Sequence, residues 1–124
     1  MNGITLDTGG LIALERADKR MRAVVLAASE ARVLISVPAV VIAEWWRGQS
    51  ARSRLISASV NVEPTTELVA RAAGEAIAAV RGATVVDAIV MASAATRGDI
   101  VYTSDIDDMQ RLQQHFPGVR VLRA

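Results

Sequence analysis

The hydrophobic pattern changes period several times along the chain, and each change marks an element boundary. Residues 3–6 form a short apolar run that ends at Asp7 and reads as a strand. A helix is predicted over about 10–16 with Thr8 as a candidate cap, and Asp18 opens another that carries Met21, Val24, Val25 and Ala28. The β-branched run 33–37 predicts a second strand. Pro38 suits a first helical turn, so a helix is expected over about 39–48, with a further helical piece at 50–59.

Residues 60–62 are a third strand candidate, punctuated by Glu63, Pro64 and Thr65 before a long alanine-rich helix over about 66–81. Gly82 and Thr84 separate it from a helix over about 85–97 that Gly98 ends. A strand at 100–103, a helix at 107–115, a break at Pro117 and Gly118 and a strand at 119–122 complete the chain. Short strands separated by longer helices imply parallel pairing, because parallel strands need long crossovers. The fold class is therefore α/β, a short parallel sheet of about five strands flanked by helices, in a single domain over 1–124.

Composition narrows the chemistry. The 124 residues include no cysteine and one histidine, His115, which removes disulfides, thiolate zinc sites, cysteine nucleophiles and a multi-histidine metal site within one chain. Charges interrupt every apolar segment, so no stretch reaches the roughly 20 residues that cross a bilayer. The start, MNGITLDTGG, lacks the basic and long apolar regions of a signal peptide, and a soluble cytoplasmic protein is the expectation. The positive charge is nearly all arginine, with Lys19 the only lysine. Guanidinium is the better bidentate partner for phosphate and carboxylate.

The acids fall where an open parallel sheet binds ligands, beyond the carboxyl ends of its strands. Asp7 follows the first predicted strand directly, and Asp105 follows the strand at 100–103 by one residue. Asp87 lies in the first turn of the helix leading into that strand, and Glu44 lies in the helix after the second strand. Their neighbours are apolar, as in Val41-Ile42-Ala43-Glu44-Trp45. Acids flanked this way are caps, partners of arginine, or ligands. Two carboxylates about 4 Å apart repel by roughly 4 kcal/mol at an effective dielectric of 20, so converging acids need a cation. Oxygen ligands without histidine or cysteine select a hard ion, magnesium or manganese. Each acid alone also has a structural reading. Asp7 suits a helix cap, Asp87 the helix dipole, Glu44 a pair with Arg47, and one of Asp105, Asp107 and Asp108 a cap on the helix they open.

Four segments carry a family resemblance. Leu6-Asp7-Thr8-Gly9-Gly10-Leu11-Ile12-Ala13-Leu14 resembles the opening motif of PIN domains, and Pro38-Ala39-Val40-Val41-Ile42-Ala43-Glu44 their second. Val86-Asp87-Ala88 with Ala92 resembles the third, and Tyr102-Thr103-Ser104-Asp105-Ile106-Asp107-Asp108-Met109 the fourth. Order and spacing agree from end to end, and a free-standing domain of this size is similar to the VapC toxins of bacterial toxin-antitoxin pairs. The resemblance implies a PIN-like three-layer fold, a Mg2+ or Mn2+ site, and endonucleolytic cleavage of RNA (tRNA, rRNA or mRNA). It places Asp7, Glu44, Asp87 and Asp105 at the catalytic and metal positions, with Asp107 or Asp108 as an auxiliary acid. Thr8 and Ser104 match supporting hydroxyl positions. Gly9-Gly10 departs from the pattern, a larger polar residue being common there.

The resemblance further implies a homodimer and a VapB-like antitoxin whose tail covers the groove. Arg47, Arg52, Arg54 and Trp45 are candidate contacts to RNA or antitoxin; of Trp45 and Trp46, one is expected in the core. Two other classes compete with the nuclease. One is a catalytically silent PIN-like module that binds RNA or a partner. The other is an aspartic protease, suggested by Asp7-Thr8-Gly9, although such enzymes are almost all β and residues 70–79 are strongly helical. A receiver domain is disfavoured, since Lys19 is the only lysine and no predicted strand end carries the lysine such phosphorylation sites use. The net charge of +1 fits the nuclease once the four acids are set aside, since 9 acids then face 14 basic groups, an excess of +5 over the remaining surface.

Overall fold

The computed structural model describes residues 2–48 and 50–124. They form β1 (Ile4–Leu6), α1 (Thr8–Glu15), α2 (Lys19–Glu30), β2 (Ile35–Pro38), α3 (Ala39–Trp45) and α4 (Ala51–Ser59). Then follow β3 (Asn61–Glu63), α5 (Glu67–Ala79), α6 (Val85–Arg97), β4 (Ile100–Thr103), α7 (Ile106–Gln113) and β5 (Arg120–Arg123). Every strand pair is parallel, in the order β3-β2-β1-β4-β5. The chain order therefore reverses direction at β1, and loops leaving β1 and β4 diverge there to open a crevice.

The sheet is covered on both sides. Alternation along β1 sends Ile4 and Leu6 to one face, where Gly10 of α1 lies against Leu6 and Val24, Ala27 and Ala28 of α2 line a cavity with Ile4 and Ile100. Thr5 points to the other face and meets Arg97 of α6. Residues 88–94 of α6 are all buried, which is why that helix shows no clean amphipathic stripe. Leu6, Leu11, Met21, Met91, Met109 and Leu112 are the largest fully buried side chains, each contributing roughly 1.5–3 kcal/mol of transfer free energy.

The expected elements are all present, with shifted edges that have local causes. α1 starts at Thr8 because Asp7, with Thr8 excluded from the role, is its N-cap: the Asp7 Oδ1 accepts the N–H of Gly10 at 2.9 Å. β2 starts at Ile35 because Val33 donates its N–H to Ala28 at 2.8 Å in closing α2. Pro38 ends β2 and stands at the N-cap of α3, outside the first helical turn. α3 stops at Trp45, short of the expected 48, and Gln49 lies outside the described residues. α5 begins after Thr66, whose hydroxyl caps Val69, and gives out at Ala79. The strands β3 and β5 each sit one residue later than their apolar runs suggest, with Asn61 paired to Ser36 and Arg120 to Ile100.

Candidate active site

The sheet register builds the centre of the site. Thr5 pairs with Val101 and Leu6 with Tyr102, so one further step along each strand sets Asp7 beside Thr103. Period-two alternation turns Asp7 to the same side as Thr5, toward α6. Asp7 is 6% exposed, and its Oδ2 accepts the hydroxyl of Thr103 in a short hydrogen bond. The same Thr103 oxygen accepts the N–H of Asp105 at 2.9 Å. One hydroxyl thus ties the two strand-end acids together.

Asp87 enters from α6. Thr84 caps that helix by accepting the Asp87 N–H at 3.2 Å, which fixes the acid in the first turn. Asp105 and Asp108 enter from the start of α7. Oxygens of Asp87, Asp105 and Asp108 all lie within 4.8 Å of one another. Glu44 comes from α3 and accepts the Thr8 hydroxyl at 2.6 Å, so Thr8 orients it.

The electrostatics agree with convergence. Burial pushes the Asp7 carboxyl above its ordinary value, hydrogen bonds from Thr103 and Gly10 oppose the rise, and the Asp105 charge adds to it. Burial likewise raises Asp87, with Asp7, Asp108 and Glu44 all adding repulsion. Asp105 is raised by its hydrogen bond to Asp108, while Asp108 is lowered by that same contact and by Arg111. Asp7, Glu44, Asp105 and Asp108 therefore lie about Asp87, and among the described residues one guanidinium, that of Arg111, is paired with the set, through Asp108.

Several sequence expectations are sharpened or corrected here. Asp108 joins the trio of close carboxylates, whereas Asp107 is exposed and adds only a distant charge to Asp105. No side chain of Asp105, Asp107 or Asp108 caps α7; Asp105 turns to Asp108 instead. Glu44 bonds Thr8, not Arg47. Arg47 donates to the carbonyls of Ala43 and Trp46, and Arg52 to that of Glu15 at 2.7 Å, so one nitrogen of each is engaged by the chain's own backbone. Arg54 is exposed on α4. Trp45 is the core indole, 6% exposed, and presents no surface for a base or a partner; Trp46 is half-buried. Ser104 is exposed and fills the space over Gly9, where a Cβ would fall 1.9 Å from its Oγ. That contact explains the glycine at a position where the family pattern has a larger residue.

Thr103, Thr84 and Arg111 were not singled out by sequence reasoning. The signal for Thr103 was available in the alternation of β4, which puts Val101 and Thr103 on one buried face. Arg111 had only its three-residue spacing from Asp108, which by itself describes any helix surface.

The donor set suits a divalent metal. The oxygens of Asp87, Asp105 and Asp108 are hard and close enough to share one ion, and burial raises the carboxyls of Asp87 and the neighbouring Asp7, which a cation would offset. Asp87, Asp105 and Asp108 could hold it together, with Asp7 and Glu44 adding negative charge beside Asp87.

Comparison with known proteins follows the same line. The family model of the PIN domain matches residues 4–114, and the chain belongs to that family. Among solved structures, the crystal structure of VapBC2 from Rickettsia felis bound to a DNA fragment from their promoter superposes with a TM-score of 0.81 and 10% identity, covering 98% of each chain. The crystal structure of DNA-bound VapBC from Salmonella typhimurium gives 0.75 and 16% identity over 99% of this chain and 98% of that one. FitAB bound to an IR36 DNA fragment gives 0.60 and 18% over 97% and 94%. At these identities the likeness is one of fold. A search of curated protein sequences gives no match. Asp7-Thr8-Gly9 forms a cap and first helical turn beside a parallel sheet, so the all-β architecture of a dimeric aspartic protease does not describe this chain.

Proposed function

We propose that this protein is a divalent-metal-dependent endoribonuclease and the toxin of a VapBC-like toxin-antitoxin pair. The observation that carries the proposal is the meeting of Asp87, Asp105 and Asp108 within 4.8 Å, beside the buried Asp7, at the switch point of a PIN-family sheet. Mg2+ or Mn2+ bound there supplies charge stabilisation to a phosphodiester and lowers the pKa of water. The chain's own residues divide the remaining work. Thr103 fixes the rotamer of Asp7, Thr84 fixes the start of α6 under Asp87, and Thr8 turns Glu44 toward the cluster. The paired carboxyls of Asp105 and Asp108 form the side of the site open to solvent, where a proton can be exchanged.

The test is direct. Asp7→Asn and Asp87→Asn are each expected to abolish Mn2+-dependent cleavage of RNA and the growth arrest caused by expression, with circular dichroism unchanged. Cleavage retained by both variants overturns the proposal. RNA binding by the unaltered chain without any product under Mg2+ or Mn2+ favours the catalytically silent module instead. The toxin role is supported by fold likeness to chains crystallised as VapBC and FitAB complexes. It entails a VapB-like antitoxin, and we propose a homodimer as the assembled form. Co-purification with the product of an adjacent small reading frame, and loss of cleavage in that complex, checks the pairing.

A further inference from the structure

A cluster of cations lies at the turn between α1 and α2: Arg16, Lys19, Arg20 and Arg22 fall within seven residues, and all four are exposed. Among the described residues none of them is ion-paired or hydrogen-bonded through its side chain; the arginines so engaged are Arg47, Arg52, Arg71, Arg97 and Arg111. Against these four cations stand two acids, Glu15 and Asp18, which leaves a net charge of +2 over residues 15–22. Asp18 turns back to accept the N–H of Met21 at 3.0 Å, and Glu15 lines a different cavity with Trp45.

Beside the cluster runs a groove of about 410 Å³ lined by Gly9, Ile12, Ala13, Arg16, Asp18 and Ser104. Positions 9, 12, 13 and 16 share one face of α1 by helical spacing, so the groove runs the length of that helix, about 10 Å. It starts at Gly9, two residues from Asp7, and at Ser104, next to Asp105. Ile12 and Ala13 give it an apolar stretch, and Arg16 and Asp18 line it at the α1–α2 turn. A second shallow groove lined by Lys19, Arg22, Ala23 and Leu26 lies on α2 beyond the turn.

We infer that this groove and the cations of the α1–α2 turn receive the backbone of a single-stranded RNA on one side of the cleaved bond. The identity of the ligand as RNA rests on the nuclease reading above; the affinity for a single-stranded polyanion rests on the charge and the groove alone. Ile12 and Ala13 offer a surface to ribose and base, while Arg16, Lys19 and Arg22 neutralise phosphates and release counterions. RNA is preferred to an acidic protein segment because Gly9 and Ser104, at one end of the groove, adjoin in sequence the acids of the proposed nuclease site.

The experiment is anisotropy of a short fluorescent single-stranded RNA in buffer free of divalent cations, where the proposed cleavage is idle, from about 50 to 200 mM salt. Arg16→Ala with Arg22→Ala is expected to lower the slope of log affinity against log salt by about 1.4, the effect of two single-strand phosphate contacts. Arg16→Lys with Arg22→Lys keeps the slope, which separates lost charge from lost structure. Arg71→Ala, on a guanidinium already paired with Glu67, leaves the slope unchanged. An unchanged slope in the double alanine variant, or an equal fall with Arg71→Ala, overturns the inference. So does a double alanine variant that binds RNA normally but loses a protein partner, which makes the surface a protein interface. If the unaltered chain fails to cleave with Mn2+ while the slope falls as expected, the nuclease reading is lost and the polyanion track stands.

Discussion

Asp7 performs two tasks with two oxygens. Oδ1 caps α1 through Gly10, and Oδ2 takes the Thr103 hydroxyl. The cap reading of this residue is correct, and it is compatible with the ligand role proposed above, because a carboxylate has lone pairs enough for a cap, a hydroxyl and a metal. Burial nonetheless makes its charge costly, and Asp87 shares that condition. An acid whose folded pKa lies above its ordinary value binds more protons in the folded than in the unfolded state over the window between the two. Stability of the metal-free protein should therefore fall as pH rises from the ordinary aspartate value of 3.8 through the raised values of Asp7 and Asp87, and level off above them. Mn2+ should in consequence raise the melting temperature more near pH 7 than near pH 4, where protons compete with the ion for the raised carboxyls. Scanning calorimetry across pH with and without Mn2+ checks the sign, and stability that rises with pH through this window refutes it. Gly9 makes a similar point about steric fit: the hydroxyl of Ser104 occupies the volume that a side chain at position 9 would need.

Among the elements, the helix ends show how local chemistry and the fold disagree mildly. α1, α2 and α6 finish with the same pair of backbone bonds: Asp18 to Ala13 with Ala17 to Leu14, Val33 to Ala28 with Arg32 to Ser29, and Asp99 to Ala94 with Gly98 to Ala95. The residue at the left-handed position is Gly98 in α6, at φ 70°, but Ala17 and Arg32 in the others, both at φ 57°. A side chain in that conformation costs roughly 1–2 kcal/mol. Ala17→Gly and Arg32→Gly are each expected to stabilise the fold by about 1 kcal/mol in urea unfolding, without moving the Mn2+ dependence of cleavage. The same ends explain what was legible in the sequence. Gly98 announced its helix end, whereas Ala17 and Arg32 carry no such mark, and the start of β2 was read two residues early for that reason. Periodicity found each element because core positions repeat. It could not place Thr103 against Asp7, since that contact depends on the register between two strands 96 residues apart. It could not choose between Asp107 and Asp108 either, because the choice turns on which side of α7 faces Asp87.

At the level of the whole molecule, the strand order puts β1 at the centre and the carboxylates at the one place where the connecting loops part. Below the site a buried polar group braces the sheet. Asp99, 4% exposed, accepts from Thr5 at 2.8 Å and from Arg97 at 2.9 Å, and Arg97 also donates to Ser93 and Thr5. This links β1, β4 and α6, the three elements that carry or lead into Asp7, Asp105 and Asp87. Asp99→Ala leaves Arg97, among the described residues, with Glu63 at 3.9 Å as its ionic partner, and is expected to cost about 3 kcal/mol in chemical denaturation. Taking the ion pairs of Asp99 with Arg97 and of Asp108 with Arg111 out of the charge balance, together with Asp7, Glu44, Asp87 and Asp105, leaves 7 acids against 12 basic groups. The excess of +5 is unchanged, and the structure concentrates part of it at the α1–α2 turn. The indoles add one more consequence. Trp45 and Trp46 are the only tryptophans of the chain, their rings meet edge to face at 5.9 Å, and they directly follow Glu44. Intrinsic emission from this protein is therefore an optical signal from a single neighbourhood, one residue from the acid margin of the site, and ion or substrate titrations can be followed by fluorescence with no label attached.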